Sequence, residues 1–315
     1  MGVKHLSGWG VMFPGQGSQF VGMGQALVAS SSVMRQTFEE ADDAIGYNLS
    51  TVILEGPEER LRDTEVQQPA ILALSVAIWR TFKEYRPDFR PVLGFGLSLG
   101  EYSAYVASGV LTLADGVRLT KIRGRAMQEA VPKGEGGMVA ILGLKSDQVE
   151  KLCREASLVG LVETANYNAP GQTVVSGLNP GLDIVEDIAR KLGARTVRLA
   201  VSAPFHCRLL KPAGEVLSAA LSEVHLGQAA FPVLANVDTA PCMIAEDIVP
   251  RLIRQVSHPV LFEHTVERAL SYGLDGLLEL GPGRSLSSLV KKINRHQRVV
   301  NIEDPDGLAR ALELV

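Results

Sequence analysis

Cysteine is scarce in this chain. Cys153, Cys207 and Cys242 are the only three, they lie far apart, and no two form a CxxC pair. An odd, scattered set excludes a disulfide framework and a cysteine-based zinc site, and it fits a reduced, cytoplasmic setting. Long apolar runs are missing too: each is broken well short of the ~18 residues that mark a membrane-spanning helix. The opening segment, MGVKHLSGWGVMFPGQGSQ, lacks an apolar stretch followed by a small-residue cleavage site, so no secretory signal is expected. It begins Met-Gly, but Leu6 stands where a myristoylation motif wants Ser or Thr. There is no large excess of charge of either sign. The 31 Lys and Arg against 35 Asp and Glu leave a formal charge of −4, which argues against a nucleic-acid surface or a basic membrane-binding face. Internal repeats and low-complexity tracts are absent.

What remains is a chain of 315 residues with 46% apolar side chains, enough for a full core in one large domain or two smaller ones. A short apolar strand, Gly10-Val11-Met12-Phe13, runs into a Gly-rich turn, Pro14 to Gln19. Helical patterns follow over 22–46 and 67–85. A second strand is expected at Pro91-Val92-Leu93, then a turn at Ser98, a helix ended by Gly109, and an amphipathic helix over 112–131. Alternating strands and helices predict a parallel α/β sheet. The pattern changes after VPKGEGG. Strand 138–143, helix 146–156, strand 162–168, strand 172–176, helix 180–192 and strand 195–201 give the order βαββαβ, a ferredoxin-like unit. The expectation is a small domain over 133–201 inserted in a larger α/β domain made of 1–132 and 202–315. The last segment reads as strand PVLANV, helix EDIVPRLIRQV, helix FEHTVERALSYG, strand GLLELG and helix SLSSLVKKI.

Gly96-Leu97-Ser98-Leu99-Gly100 matches G-x-S-x-G, the nucleophile elbow. A turn sharp enough to lift a serine off the carboxyl end of a strand crowds the residues two positions away, and glycine removes the crowding. The helix that starts there points free N–H groups at a developing oxyanion. A plainer alternative makes Ser98 a helix cap, with Glu101 completing a capping box. The turn GQGSQ fails the P-loop pattern for want of a lysine, and Phe20 breaks GxGxxG, so on its own it is a tight turn. Of six histidines, His206 alone follows a strand and a run of small residues, which could bring it to the same sheet edge as Ser98. The alternative for it is a core histidine with satisfied hydrogen bonds. No Asp or Glu stands out as a third member of a triad.

Eight blocks, FPGQGSQFVGMG, GLSLGEYSA, RGRAMQEAVP, NYNAPGQTVVSG, PFHCRLLKPA, NVD, RQVSHPVLFEHTV and ELGPGRSLSSLVKKI, occur in the order seen in malonyl-CoA:acyl carrier protein transacylases. The resemblance covers nearly the whole chain. It implies an α/β-hydrolase-like large domain with a ferredoxin-like insertion. It also implies a ping-pong acyltransferase of fatty acid biosynthesis that moves malonyl from malonyl-CoA to the phosphopantetheine thiol of an acyl carrier protein. By motif, Ser98 resembles the nucleophile, His206 its base, and Gln255 the residue whose main-chain carbonyl orients the histidine. The N–H groups of Gln16 and Leu99 resemble an oxyanion hole. Arg123 resembles the partner of the malonyl carboxylate, while Arg118 and Arg125 read as a solvated helix face. Met127, Asn168 and Phe205 are the further substrate-binding residues expected, Met127 and Phe205 crowding any methyl branch on the acyl group.

Lys291, Lys292, Arg190 and Lys191 are candidate contacts for an acidic carrier protein, or else solvated basic helix ends. No metal or redox cofactor, no nucleic acid and no membrane is expected, and the chain reads as a cytoplasmic monomer. One departure is Leu97, where the family often has His. The rival readings are an acyltransferase for another acyl group in a polyketide pathway, a serine hydrolase or editing thioesterase of the same fold, and a non-catalytic carrier-binding module.

Overall fold

The computed structural model describes residues 8–201 and 203–315. The first seven residues of the segment expected to lack a signal, Leu6 among them, and Ser202 at the second domain boundary lie outside the described residues. The first stretch of chain holds β1 (Trp9–Phe13), α1 (Gln25–Ser30), α2 (Ser32–Ile45), α3 (Leu49–Glu55), α4 (Glu58–Arg62), α5 (Thr64–Tyr85), β2 (Gly94–Gly96), α6 (Leu99–Ala107) and α7 (Leu113–Glu129). A middle stretch holds β3 (Gly136–Leu142), α8 (Ser146–Ala156), β4 (Val162–Ala169), β5 (Gln172–Leu178), α9 (Asn179–Lys191) and β6 (Arg195–Arg198). The rest holds α10 (Lys211–Ser222), β7 (Val233–Leu234), β8 (Pro241–Cys242), α11 (Ala245–Gln255), α12 (Phe262–Leu270), β9 (Gly276–Leu280), α13 (Ser285–Ile293), β10 (Val299–Ile302) and α14 (Pro305–Leu314).

Two sheets result. The larger runs β10-β9-β1-β2-β7-β8, with every neighbouring pair parallel except β7 and β8. Its central strand β1 is buried at all five positions, as a strand covered by helices on both faces must be. The smaller runs β4-β5-β3-β6 and is antiparallel throughout, the strand order of a ferredoxin-like unit. Its helices α8 and α9 close a separate apolar core of Val139, Ile141, Val149, Leu152, Val175 and Leu182. The fold is thus the α/β class expected, a mostly parallel large sheet carrying a small antiparallel one. The two units are joined by backbone as well as by side chains. Tyr167 and Val260 donate to Val260 and Ala165 at 2.9 and 2.8 Å, binding β4 to the loop before α12.

Three local expectations need correction. The second strand lies at Gly94–Gly96, not at Pro91–Leu93. Val92 and Leu93 do bond to β1, but Pro91 has no N–H to offer a ladder, and the register begins at Val11 opposite Gly94. The helical pattern over 22–46 is two helices, broken at Ser31, whose hydroxyl caps α2 by accepting from the Met34 N–H at 3.2 Å. The strand PVLANV stops at Leu234, because Asn236 turns away to serve the site described next.

Candidate active site

The elbow is built on glycines that leave no room for a side chain. A Cβ on Gly96 would sit 2.1 Å from the Gly100 carbonyl carbon, and one on Gly100 would sit 2.0 Å from the Phe13 oxygen. With both absent, α6 turns back onto β1 and β2, and Ser98 is held at φ 54°, a conformation that side chains rarely adopt. The capping-box alternative is not what forms. Ser98 makes no capping bond. Its Oγ instead lies 2.7 Å from His206 Nε2 and accepts from Arg123 Nη2 at 2.9 Å.

His206 is buried and likewise at positive φ, 62°. Its Nδ1 lies 2.8 Å from the Gln255 backbone oxygen. A carbonyl can only accept, so Nδ1 carries the proton and Nε2 is left to accept from the serine hydroxyl. Burial, and then the charge of Arg123, push the imidazole pKa down to about 3, so the ring is neutral at neutral pH. The arrangement is a dyad steadied by a main-chain carbonyl, without a buried third carboxylate on the histidine.

Arg123 comes from α7 and is only 1% exposed. Nη1 donates to Gln68 Oε1 at 2.7 Å, and Nη2 donates to Gln255 Oε1 at 2.9 Å as well as to Ser98. Its guanidinium stands over the Tyr102 ring, 5.4 Å from the centroid. Nε has no partner, and Arg123 makes no ion pair among the described residues. A buried cation held only by neutral acceptors has the valence left to take a carboxylate.

The remaining expected residues fall at different distances from this centre. The turn after β1 packs on the elbow: a Cβ on Gly15, the residue before Gln16, would meet the oxygen of Leu97, the residue before Ser98, at 2.3 Å. The backbone N–H groups of Gln16 and Leu99 form no hydrogen bond among the described residues, as an oxyanion hole requires. Met127 is buried one turn beyond Arg123, its sulfur 4.0 Å from Gln68 Nε2, and Phe205 is buried beside His206. Asn168 lies near the end of β4 with its side-chain oxygen buried and unpartnered, and no hydrogen bond joins it to the dyad. Leu97 packs into the apolar cluster of Met12, Phe95 and Phe262. His258 bonds to the Arg254 carbonyl at 2.9 Å and does not reach the serine.

Lys291 and Lys292 end α13 and make no ion pair among the described residues; Lys292 donates to Gln172 Oε1 on the small sheet at 2.6 Å. Arg190 is tied to Glu186 at 2.7 Å and to Asp187 at 3.8 Å, so its charge is already met, while its neighbour Lys191 has no ion pair among the described residues.

Three residues of the site were not singled out as members from sequence. Asn236 is fully buried. Its Oδ1 accepts from the Ser98 N–H at 2.7 Å and its Nδ2 donates to the Gly96 carbonyl at 2.7 Å. Gln68 holds Arg123. Glu101, read only as a capping residue, faces inward onto Asn236 and Gln255. A signal existed for Gln68, since Gln67-Gln68 is a polar pair inside the apolar run of α5.

A family model described as the acyl transferase domain matches residues 11–301. The chain is 41% identical over 306 residues to a malonyl CoA-acyl carrier protein transacylase of Bacillus subtilis (strain 168), covering 96% of this chain and 95% of that one. It is 40% identical to the protein of the same name from Escherichia coli (strain K12), covering 96% and 98%. The chain belongs to the malonyl CoA-acyl carrier protein transacylase family. Solved structures agree. A malonyl-transacylase in complex with its type II PKS acyl-carrier protein matches with a TM-score of 0.95 at 42% identity, covering 98% of this chain and all of that one. The transacylase from Coxiella burnetii matches with a TM-score of 0.95 at 35% identity, covering 98% and 97%.

Proposed function

We propose that Ser98 carries a malonyl group as an ester while this acyltransferase moves it from malonyl-CoA to the phosphopantetheine thiol of an acyl carrier protein. Ser98 Oγ attacks the thioester carbonyl as its proton passes to His206 Nε2. The oxyanion that forms is taken by the N–H groups of Gln16 and Leu99. The C–S bond then breaks, and the imidazolium returns the proton to the departing CoA sulfur. In the second half-reaction the carrier thiol gives its proton to His206, attacks the ester, and Ser98 leaves with that proton restored. No metal or redox cofactor enters either half.

The observation that carries the malonyl reading is Arg123, buried, charged, without a carboxylate partner among the described residues, and 2.9 Å from the nucleophile. A malonyl carboxylate paired with it would also offset the charge that holds the His206 pKa down, so the imidazolium formed during attack becomes easier to reach. An acetyl group brings no such partner. A hydrolase of simple acyl groups has no use for this cation, which speaks against the thioesterase alternative. Met127 and Phe205 line the acyl pocket in this reading, and Asn168, whose side-chain oxygen is buried and unpartnered, is a further substrate contact. Lys291 and Lys292 supply the docking charge for an acidic carrier protein, with Lys191 and Arg190 contributing less. Three buried, unpaired cysteines support a cytoplasmic setting.

The test is kcat/KM for malonyl-, methylmalonyl- and acetyl-CoA with wild type and Arg123→Ala. Wild type should favour malonyl firmly over acetyl, by the roughly 1.5–3 kcal/mol of a charged hydrogen bond. Its preference over methylmalonyl should be softer, because Met127 is flexible enough to yield to one extra carbon. Arg123→Ala should narrow the gap to acetyl. A wild type that takes acetyl-CoA as readily as malonyl-CoA refutes the carboxylate clamp.

A further inference from the structure

Glu101 occupies the third helical position of α6, where a glutamate would ordinarily turn back to the N–H of the capping residue. Here Asn236 has taken that N–H, and Glu101, 1% exposed and without an ion pair among the described residues, faces the other way. Its Oε2 accepts from the Asn236 backbone N–H at 3.0 Å and from Gln255 Nε2 at 2.7 Å, and its Oε1 lies 3.3 Å from the Tyr105 hydroxyl. Each of the first two partners holds a different part of the site. Asn236 grips the backbone leading into Ser98, through the Ser98 N–H and the Gly96 carbonyl. Gln255 offers its backbone oxygen to His206 Nδ1, its Nε2 to the Ser98 carbonyl at 3.0 Å, and its Oε1 to Arg123.

The side-chain amide of Gln255 could be turned either way about its last bond; the Ser98 carbonyl and Arg123 favour one orientation, and Glu101, with the shortest of these contacts at 2.7 Å, reinforces it. A carboxylate accepts and does not donate, so the NH2 must face it, and the amide oxygen must therefore face Arg123. The reversed amide would set an NH2 against the guanidinium and an oxygen against Oε2. We propose that Glu101 is a positioning residue for acyl transfer, fixing the nucleophile's backbone through Asn236 and the guanidinium's orientation through Gln255. The inference rests on the roles proposed above for Ser98 and Arg123. It adds that the malonyl preference depends on a carboxylate that touches neither the acyl group nor the dyad.

The test compares Glu101→Gln, Glu101→Leu and Gln255→Leu in single-turnover acylation of Ser98 by malonyl-CoA and by acetyl-CoA, with thermal melts of each. A glutamine at 101 keeps an acceptor at the Oε2 position and can turn its NH2 to the Tyr105 oxygen, so Glu101→Gln should stay within about threefold of wild type and keep its malonyl-to-acetyl ratio. Glu101→Leu should lose on the order of 10²-fold in the acylation rate, the scale of a misplacement near 1 Å. Its malonyl-to-acetyl ratio should fall as well, with KM for malonyl-CoA raised. A residue that only supported the fold would shift the melt and leave the ratio alone. If Glu101→Leu does not fold, Gln255→Leu, which keeps the backbone oxygen on His206, should show the same fall in ratio. An unchanged ratio in folded Glu101→Leu or in Gln255→Leu overturns the proposal. If Ser98→Ala is still acylated the catalytic reading itself has failed, whereas an inert Ser98→Ala beside an unchanged ratio sinks only the role of Glu101.

Discussion

Among the described residues only three non-glycine positions have positive φ, and two of them are Ser98 and His206. Each such residue costs roughly 1–3 kcal/mol and persists only where its surroundings over-determine it. Here Asn236 and Gln255 do so, with hydrogen bonds on both sides of Ser98. His206→Ala should slow acylation by roughly 10²–10⁴-fold, the usual worth of a positioned base, while His258→Ala leaves it near wild type. The reverse outcome would mean that the wrong histidine has been assigned. The pH behaviour follows from the same burial. In the folded protein His206 takes a proton only near pH 3, whereas in the unfolded chain it does so near 6.5. His206 therefore weakens the fold progressively as pH falls from 6.5 toward 3, while in the folded protein it stays unprotonated over most of that window. Glu101 is shifted the other way, up to about 7 by burial. Its protonation should not interrupt catalysis, since a proton on Oε1 leaves Oε2 accepting from Asn236 and Gln255. The kcat/KM for acylation, which reports the free enzyme, should accordingly stay level from pH 8 to pH 6, and a limb with its midpoint near 6.5 would contradict a buried neutral base.

At the scale of the element, the contacts of the elbow glycines give a sharp expectation. Gly100→Ala places a methyl 2.0 Å from the Phe13 oxygen, an atom of the central strand that cannot move aside. The variant should lose at least the ~1–3 kcal/mol typical of overpacking, seen as a lower melting temperature, and with it the alignment of Ser98 and Leu99. An active Gly100→Ala with a wild-type melt would show that the elbow is looser than described. This element was legible in the sequence because its constraint is local: two glycines flanking a serine after an apolar strand. The ferredoxin-like unit was legible for a related reason, since α8 and α9 have one apolar face each and β3, β4 and β5 read as strands between clear breaks. The short elements were not. In α3, α4 and β8 fewer than eight residues carry too little periodicity to be read, and their place is set by packing against α5 or β7. The helices α10 and α14 and the edge strand β10 were passed over, although Pro212 and Pro305 mark the helix starts. The dyad's support was legible only by resemblance, because Gln255 lies 49 residues from His206 and acts through a backbone atom that any residue could supply. Asn236 escaped notice and Glu101 was read only as a capping residue, because each serves a partner more than 130 residues away.

Across the whole molecule, the two units meet where β4 and β5 approach the loop before α12 and the end of α13, and Lys292 reaches from one to the other. Lys291 and Lys292 carry charge that no carboxylate among the described residues answers, on a chain whose formal charge is −4. An acidic carrier protein must therefore be attracted locally. Reversing both to Glu should weaken malonyl transfer to the carrier protein, chiefly through KM and more strongly at low salt, while acylation by malonyl-CoA is spared. Equal loss in both half-reactions would place the docking surface elsewhere. The central claim is that one serine at the carboxyl edge of the large sheet holds the acyl group between donor and acceptor. It is tested most directly by the intact mass of the protein after brief mixing with malonyl-CoA and no carrier protein. Wild type should gain the mass of one malonyl group, with the modified peptide containing Ser98, and lose it when a carrier protein bearing a free phosphopantetheine thiol is added; Ser98→Ala should gain nothing. A Ser98→Ala protein that still takes up one malonyl group, or a wild-type adduct on another peptide, would contradict the account.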